Sequence, residues 1–284
     1  MTIQDNTALT DAIRAQWDGA ADGWDGQEPV LRAWLADTTT AMLDMARVSP
    51  GQSVLDVAAG AGGQSLDVAA RVGAAGRVMA TDLVPDLVAS LVQRAAQAGA
   101  ANIDARVADA EEALAEVAQF DAAVSRLGLM LMAHPDRCLA SVRQALKPGA
   151  AFCAVVFDGP EGNPCLRILM ATAQRHAGRP PRDPLAAGGL LSLGGTGRLD
   201  ALFQAAGYHD VTTRAIEAPF RLPRVEDYVA FLMAAAAPVR AILSDLSDSA
   251  RAAAWQDITD QLSVFQGKEG WVGPNRLLLT AGTR

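Results

Sequence analysis

The chain has 284 residues, half of them hydrophobic, with 24 Lys and Arg against 32 Asp and Glu. This apolar content suffices for a sizeable buried core. The net charge of −8 gives no electrostatic footprint for nucleic acid, so a small-molecule partner is expected. No stretch reaches the roughly 18 apolar residues of a membrane span, and residues 1–17 lack the pattern of a secretory signal. A cytoplasmic protein without membrane contact is predicted.

Residues 7–47 are predicted to be helical, with breaks near 19–26 and at Pro29. Short β-rich runs then alternate with Ala-rich helical segments. Strands are expected at 53–58, 77–81, 103–108, 121–125 and 150–157, and helices at 64–72, 85–98, 111–118 and 135–146. This alternation predicts a parallel sheet, because parallel neighbours need crossover connections, and ligands of such sheets bind at the carboxyl ends of the strands.

The second half of the chain has a different rhythm. A Pro- and Gly-rich insertion over 158–197 holds one short helix. It is followed by a helix at 198–206, a strand at 211–216, two or three helices within 225–265 and a last strand at 275–282. Because the helical segment lies between two strands, it is expected to cap the edge of the sheet.

A glycine turn follows the first strand in the run VLDVAAGAGG and opens a helix, a context in which backbone can approach a ligand closely. Gly60 and Gly62 supply half of the G-x-G-x-x-G fingerprint of nicotinamide enzymes, and Asp82 ends the second strand, where an acid can bind ribose hydroxyls. Position 65 is serine, however, and Asp56 in the preceding strand suits a cation better than a pyrophosphate. A ligand with a ribose, a positive amino-acid end and no phosphate fits both features, while a NAD(P)-dependent oxidoreductase stays an alternative.

Five segments occur in register: VLDVAAGAGG, MATD, VADAEE, FDAAVSRLGLMLMAHP and LKPGAAF. Together they resemble the class I S-adenosylmethionine-dependent methyltransferases, and most of all the ubiquinone and menaquinone C-methyltransferases. The resemblance covers about residues 10–157. It implies S-adenosyl-L-methionine as cofactor and S-adenosyl-L-homocysteine as product.

The resemblance also implies roles for residues of the glycine turn. Gly60 and Gly62 would wrap the methionyl part of the cofactor, and Asp56 would steady its ammonium group. Ala58 stands where the family often has glycine.

Residues at other strand ends are implied to hold the nucleoside. Asp82 would bind the ribose hydroxyls, Leu83 would pack on adenine, and Asp109 would accept from the adenine amino group beside the backbone of Ala110. Trp24 falls where related enzymes place an aromatic that closes over the cofactor.

Arg126 ends an otherwise apolar strand, so its guanidinium must face solvent, an acid or the ligand cleft; it is included among the cofactor-binding candidates. No catalytic residue is assigned, because methyl transfer mainly requires alignment, and a base only if the acceptor must lose a proton. His134 and His176 are weak candidates for that base. The scattered histidines and cysteines predict no metal site.

The predicted architecture is α/β: a Rossmann-like doubly wound sheet of about seven strands, mostly parallel with an antiparallel last strand. Residues 1–50 would form an N-terminal helical lid, 51–216 and 271–284 the cofactor-binding domain, and 217–270 a helical cap insertion. Phe231, Leu232 and Met233 in the cap point to a small hydrophobic acceptor. A non-catalytic S-adenosylmethionine-binding protein is a further alternative, and the sequence leaves a homodimer open.

Overall fold

The computed structural model describes residues 3–19, 21–112 and 117–284. Its helices are α1 (Ile3–Asp18), α2 (Ala21–Gly26), α3 (Glu28–Trp34), α4 (Ala36–Met45), α5 (Gly63–Val72), α6 (Pro85–Gln97), α7 (Pro135–Ala145), α8 (Pro164–His176), α9 (Arg198–Ala205), α10 (Val225–Ala235), α11 (Ala237–Leu243) and α12 (Asp248–Leu262). Its strands are β1 (Ser53–Val57), β2 (Arg77–Asp82), β3 (Ile103–Val107), β4 (Phe120–Arg126), β5 (Leu146–Phe157), β6 (His209–Glu217), β7 (Phe220–Leu222), β8 (Gln266–Gly267), β9 (Gly270–Gly273) and β10 (Arg276–Thr283).

Seven strands form the main sheet in the order β3-β2-β1-β4-β5-β10-β6. The pairs among β1 to β5 are parallel. β10 lies between β5 and β6 and runs antiparallel to both. The predicted α/β fold, a doubly wound sheet of seven strands with an antiparallel last strand, is therefore confirmed. Of the helix predicted over 111–118, residues 113–116 lie outside the described residues, and 111 and 112 form a turn and a bend.

The strand order reverses between β1 and β4. From β1 the chain passes through α5 and α6 to β2 and β3 on one side, whereas β4 is followed through α7 by β5 on the other side. Because such crossovers are right-handed, this reversal places α7 on the opposite face from α5 and α6. A crevice opens at this switch point, outside the carboxyl ends of the strands, and ligands of open α/β sheets bind there.

The interior strands are buried on both faces, which explains their continuous apolar sequences. The last eight residues of β5 are all buried. Phe152 of this strand stacks on Phe203 of α9 with ring centroids 5.4 Å apart, and both side chains are fully buried. Burying one such ring contributes about 1.5–3 kcal/mol. The three cysteines are also buried free thiols, as expected.

A small antiparallel sheet, in the order β7-β9-β8, accompanies the helices between β6 and β10. The sequence did not predict it, because strands of two to four residues are too short to show an alternating pattern. Trp271 of β9 is fully buried, stacks on Tyr228 of α10 at 4.3 Å and donates from Nε1 to the Leu262 carbonyl at 2.8 Å. This sheet therefore fixes α10 and α12 relative to each other.

In the described part of the chain, no helix combines the length and the apolar character needed to cross a membrane.

Candidate active site

A cleft at the carboxyl ends of β1 to β4, here called the main cleft, has a volume of about 120 Å³. Eight of the ten predicted cofactor residues line it: Trp24, Ala58, Gly60, Asp82, Leu83, Asp109, Ala110 and Arg126. The structure thus brings most of the predicted residues together, while the role of each stays a prediction.

The glycine turn is fastened to β2 by Asp82. The Gly60 N–H donates to Asp82 Oδ2 at 2.8 Å, and the Val84 N–H donates to Asp82 Oδ1 at 3.0 Å. Gly60 has a φ of +57°, and a Cβ there would lie 3.2 Å from Trp24 Nε1. Glycine is therefore favoured both by the backbone conformation and by the indole that covers the turn.

The Asp82 carboxylate is 8% exposed and faces the main cleft. Burial raises its pKa, and the backbone hydrogen bonds from Val84 and Gly60 oppose this rise. Each ionised oxygen can accept about two hydrogen bonds. Asp82 can therefore hold the turn and still accept from ligand hydroxyls.

Asp109 and Glu111 lie beyond the end of β3, also on the main cleft. Asp109 Oδ1 accepts from the Glu111 N–H at 2.9 Å, and Asp109 Oδ2 lies 3.7 Å from Arg14 Nη2 of α1. Glu111 Oε1 accepts from the backbone N–H groups of Ala133 at 2.7 Å and His134 at 3.1 Å. Glu111 thus joins the loop after β3 to the segment after β4, a role that the sequence did not suggest.

The two other predicted residues, Asp56 and Gly62, do not line the main cleft. Asp56 is fully buried, and its carboxylate accepts from Gln64 Nε2 and, at 2.5 Å, from Ser65 Oγ. Burial raises the pKa of Asp56 to about 7, against the lowering effect of these two bonds and of Arg126. A Cβ on Gly62, whose φ is +92°, would lie 2.6 Å from Leu91 Cγ. Asp56 thus holds the first turn of α5 against β1, and the contact of Asp56 and Gly62 with the cofactor stays a prediction.

Ala58 and Gly128 both line the main cleft and pack against each other, which gives a testable packing prediction. A Cβ on Gly128 would lie 2.3 Å from Ala58 Cβ, although the Gly128 φ of −95° suits alanine. We expect Gly128→Ala to lower the free energy of unfolding by about 2 kcal/mol through overpacking. Ala58→Gly removes the clashing methyl group and relieves a φ of +55°, so the double variant should recover most of the loss.

Chemical denaturation of the four proteins measures this coupling. Ala58→Gly alone should change the free energy of unfolding by less than about 1 kcal/mol, since relief of strain and added chain entropy oppose each other. Additive effects in the double variant would show that these two residues do not pack as described.

Neither candidate base lines the main cleft. His134 is half-buried, and its Nε2 has no hydrogen-bond partner among the described residues. His176 Nε2 lies 2.7 Å from Asp257 Oδ2 and so joins α8 to α12; this bond lowers the pKa of Asp257. Over 3–19, 21–112 and 117–284, no three His, Cys, Asp or Glu side chains form a metal-binding group.

A second cavity, here called the apolar chamber, adjoins the main cleft. The two share four wall residues: Trp17, Trp24, Leu127 and Leu131. Five further aromatic side chains line the chamber: Trp34, Phe157, Phe220, Tyr228 and Phe231. Of the cap residues singled out in the sequence, Phe231 and Leu232 line it, whereas Met233 is 49% exposed and does not.

A family model and two sequence relatives all indicate a methyltransferase. The methyltransferase domain family matches residues 54–149. The ubiquinone/menaquinone biosynthesis C-methyltransferase UbiE of Bordetella avium (strain 197N) is 34% identical over 127 residues, covering 45% of this chain and 48% of that protein. The chain therefore spans about half the length of this relative. The 2-phytyl-1,4-naphtoquinone methyltransferase of Trichormus variabilis is 31% identical over 161 residues, covering 54% of this chain and 67% of that protein.

A solved structure supports the fold. Phosphoethanolamine N-methyltransferase 2 of Haemonchus contortus, in complex with phosphomonomethylethanolamine and S-adenosylhomocysteine, superposes with a TM-score of 0.61 at 16% identity, covering 96% of this chain and 60% of that chain. The matched domain family and the sequence relatives show that the chain belongs to the class I S-adenosylmethionine-dependent methyltransferases. The resemblance carried by the five sequence segments is confirmed, and the methyltransferase interpretation replaces the NAD(P)-dependent oxidoreductase.

The residues of the main cleft fit the cofactor of this family. The Asp82 carboxylate can accept further hydrogen bonds besides the one from Gly60. It lies beside a turn of positive-φ glycines, whose backbone a ligand can approach closely. Leu83 follows the end of β2, Asp109 lies beyond the end of β3, and both line the main cleft. This is the edge of the sheet at which open α/β folds bind their ligands. Trp24 packs edge-on against Trp17 at 5.5 Å and covers the turn.

Proposed function

We propose that this chain transfers a methyl group from S-adenosyl-L-methionine to a small apolar acceptor with an aromatic or quinone-type ring. The observation that carries the proposal is the apolar chamber, which adjoins the main cleft through a shared wall of two indoles and two leucines. Flat apolar rings pack well against aromatic faces. The acceptor's nucleophilic atom would lie where the two cavities meet, in reach of the cofactor's methyl group.

When bound, S-adenosyl-L-methionine supplies an electrophilic methyl group on a positively charged sulfur that becomes a neutral thioether on transfer. Asp82, Leu83, Asp109 and Ala110 would hold the nucleoside, and Trp24 would exclude water from the turn. The aromatic walls of the chamber would orient the acceptor's nucleophilic atom. Aligning the two reactants in a site that excludes water can lower the activation free energy of methyl transfer by about 7 kcal/mol or more when they are well oriented.

The names of the sequence relatives support a ring acceptor. Those proteins are C-methyltransferases of ubiquinone and menaquinone biosynthesis and a phytyl-naphthoquinone methyltransferase. Tyr228 and Asn275 bring hydrogen-bonding side chains to the chamber, where they could meet ring oxygens of such an acceptor. A cytoplasmic location and the absence of nucleic-acid and membrane partners remain parts of this proposal.

Calorimetric titration with S-adenosylhomocysteine, NAD and NADP tests the cofactor first. We expect micromolar binding of S-adenosylhomocysteine and none of the nicotinamides. Transfer of a tritiated methyl group is then measured to reduced 1,4-naphthoquinones, catechols and short amines, which separates carbon, oxygen and nitrogen acceptors. Cofactor binding without transfer to any member of this panel would favour the non-catalytic alternative.

Two neighbouring residues of α10 give a matched pair for the acceptor site. Phe231→Ala removes a wall of the chamber, and we expect KM for the apolar acceptor to rise about tenfold. Met233→Ala, on the exposed side of the same helix, should leave KM unchanged. Neither variant should alter the Kd of S-adenosylhomocysteine. An equal effect of both variants on KM would argue against the chamber as the acceptor site.

A further inference from the structure

A small cavity of about 30 Å³ adjoins the glycine turn, and Asp82 does not line it. It shares Trp24, Ala58, Gly60, Arg126 and Leu127 with the main cleft, so the two are parts of one site. A water-sized group needs about 10–15 Å³ of such space. The small cavity can therefore take two groups of that size.

Glu28, the first residue of α3, lines this cavity and is 8% exposed. Its Oε1 is buried and has no hydrogen-bond partner among the described residues. Oε1 lies so close to the turn that a Cβ on Gly63 would be 1.6 Å away. A buried carboxylate oxygen without a donor is costly, so such an atom indicates a missing partner.

The other oxygen of Glu28 has a distant cationic neighbour. Oε2 lies 3.7 Å from Arg94 Nη1. Arg94 itself is bound through Nη2 to Asp25 and through Nε to the Ala61 carbonyl, at 2.9 Å for the latter. Arg94 is thus already held by other acceptors, and Oε1 keeps its capacity for a donor.

A guanidinium group also lines the small cavity. Arg126 at the end of β4 lines it, and its Nη1 donates to Thr39 Oγ1 at 2.5 Å. A guanidinium carries five N–H donors, two of which can bind a carboxylate side by side. The small cavity therefore presents one carboxylate and one guanidinium, the complement of an α-amino acid group.

Asp56, the residue that the sequence resemblance assigned to the cofactor's ammonium group, is less suited to it. Both of its oxygens accept from side chains of α5, and it does not line the small cavity. Glu28 has the free oxygen that Asp56 lacks.

We propose that Glu28 receives the α-ammonium group of the cofactor's methionyl end and that Arg126 receives its α-carboxylate. This inference rests on the proposed function. Because Glu28 belongs to the N-terminal helices, the bound cofactor then ties α3 to the glycine turn. Glu28 is a cofactor-binding residue that also couples occupancy of the site to the position of these helices.

Calorimetry on Glu28→Gln with two probes tests the proposal. S-adenosylhomocysteine carries the amino-acid end, whereas 5′-methylthioadenosine has the same nucleoside thioether without it. Loss of a charge-assisted hydrogen bond should weaken S-adenosylhomocysteine about 10- to 100-fold. Binding of 5′-methylthioadenosine should change less than about twofold, and the Tm increase caused by S-adenosylhomocysteine should shrink in parallel.

Asp25→Asn is the matched control, since Asp25 binds the same Arg94 but does not line the small cavity. It should leave the ratio of the two affinities unchanged. Arg126→Gln should weaken the binding of S-adenosylhomocysteine but not the binding of the amine that lacks its α-carboxylate. Equal weakening of both probes by Glu28→Gln, or no weakening of either, would overturn the proposal. If the unaltered protein binds neither probe, the proposed function itself fails.

Discussion

Asp82→Ala is expected to weaken S-adenosylhomocysteine binding by at least about 100-fold, which corresponds to about 2.7 kcal/mol. The variant removes the acceptor proposed for the ribose hydroxyls, and hydrogen bonds to charged groups contribute about 1.5–3 kcal/mol each. It also frees the Gly60 N–H that Asp82 Oδ2 now accepts from. Both 5′-methylthioadenosine and S-adenosylhomocysteine carry the ribose, so both should weaken alike. Titration calorimetry measures the two affinities.

Two comparisons separate binding from folding in this experiment. Asp82→Asn keeps one carbonyl oxygen for a backbone donor, so it should retain the fold and lose less affinity than alanine. Asp86→Ala removes an exposed acid near the start of α6 and should leave both affinities unchanged. Unaltered affinity in a folded Asp82→Ala protein would contradict the assignment of the nucleoside site.

Asp56→Asn is expected to remove a large pH dependence of stability. Burial raises the pKa of Asp56 from 3.8 to about 7, so the folded state holds a proton that the unfolded state releases between these values. The contribution of Asp56 to the free energy of unfolding is therefore fully present below about pH 4 and is lost as the pH rises through 7. A rise of about three units corresponds to about 4 kcal/mol.

Denaturant titrations between pH 4 and 8.5 test the direction of this pH dependence. The free energy of unfolding of Asp56→Asn, relative to the unaltered protein, should increase with pH and level off above pH 7. Asp104→Asn is the control: Arg106 and Arg77 hold the pKa of Asp104 below its ordinary value, so this carboxylate is ionised in both the folded and the unfolded state above about pH 5 and the difference should stay constant there. A constant difference for Asp56→Asn would mean that Asp56 is ionised throughout this range.

The sheet was predictable because its signals are local. β1 and β2 are short, largely apolar runs, each followed by a helical period, and Asp82 occurs where the second run ends. Glu28 could not be found this way, since an acid at the start of a helix ordinarily faces solvent and caps free amides. Its burial depends on Gly63, 35 positions further along the chain, which is a tertiary contact.

Asp56 illustrates a site that the sequence located but did not explain. Its buried position in the strand was evident from its apolar neighbours. Its partners, Gln64 and Ser65, lie in the first turn of the next helix, and a strand, turn and helix in succession can bring such residues together. The short strands of the small sheet and the shared indole wall of Trp17 and Trp24 depend on packing between distant segments, which no local pattern shows.

The position of β10 also bears on how the protein is made. During synthesis, β5 and β6 emerge well before residues 276–283, yet β10 must insert between them. Until then each presents an unpaired edge, which favours pairing with other chains. Contacts of such long sequence separation also slow folding. The nascent chain thus passes through a stage with an open sheet, when chaperone binding would matter most.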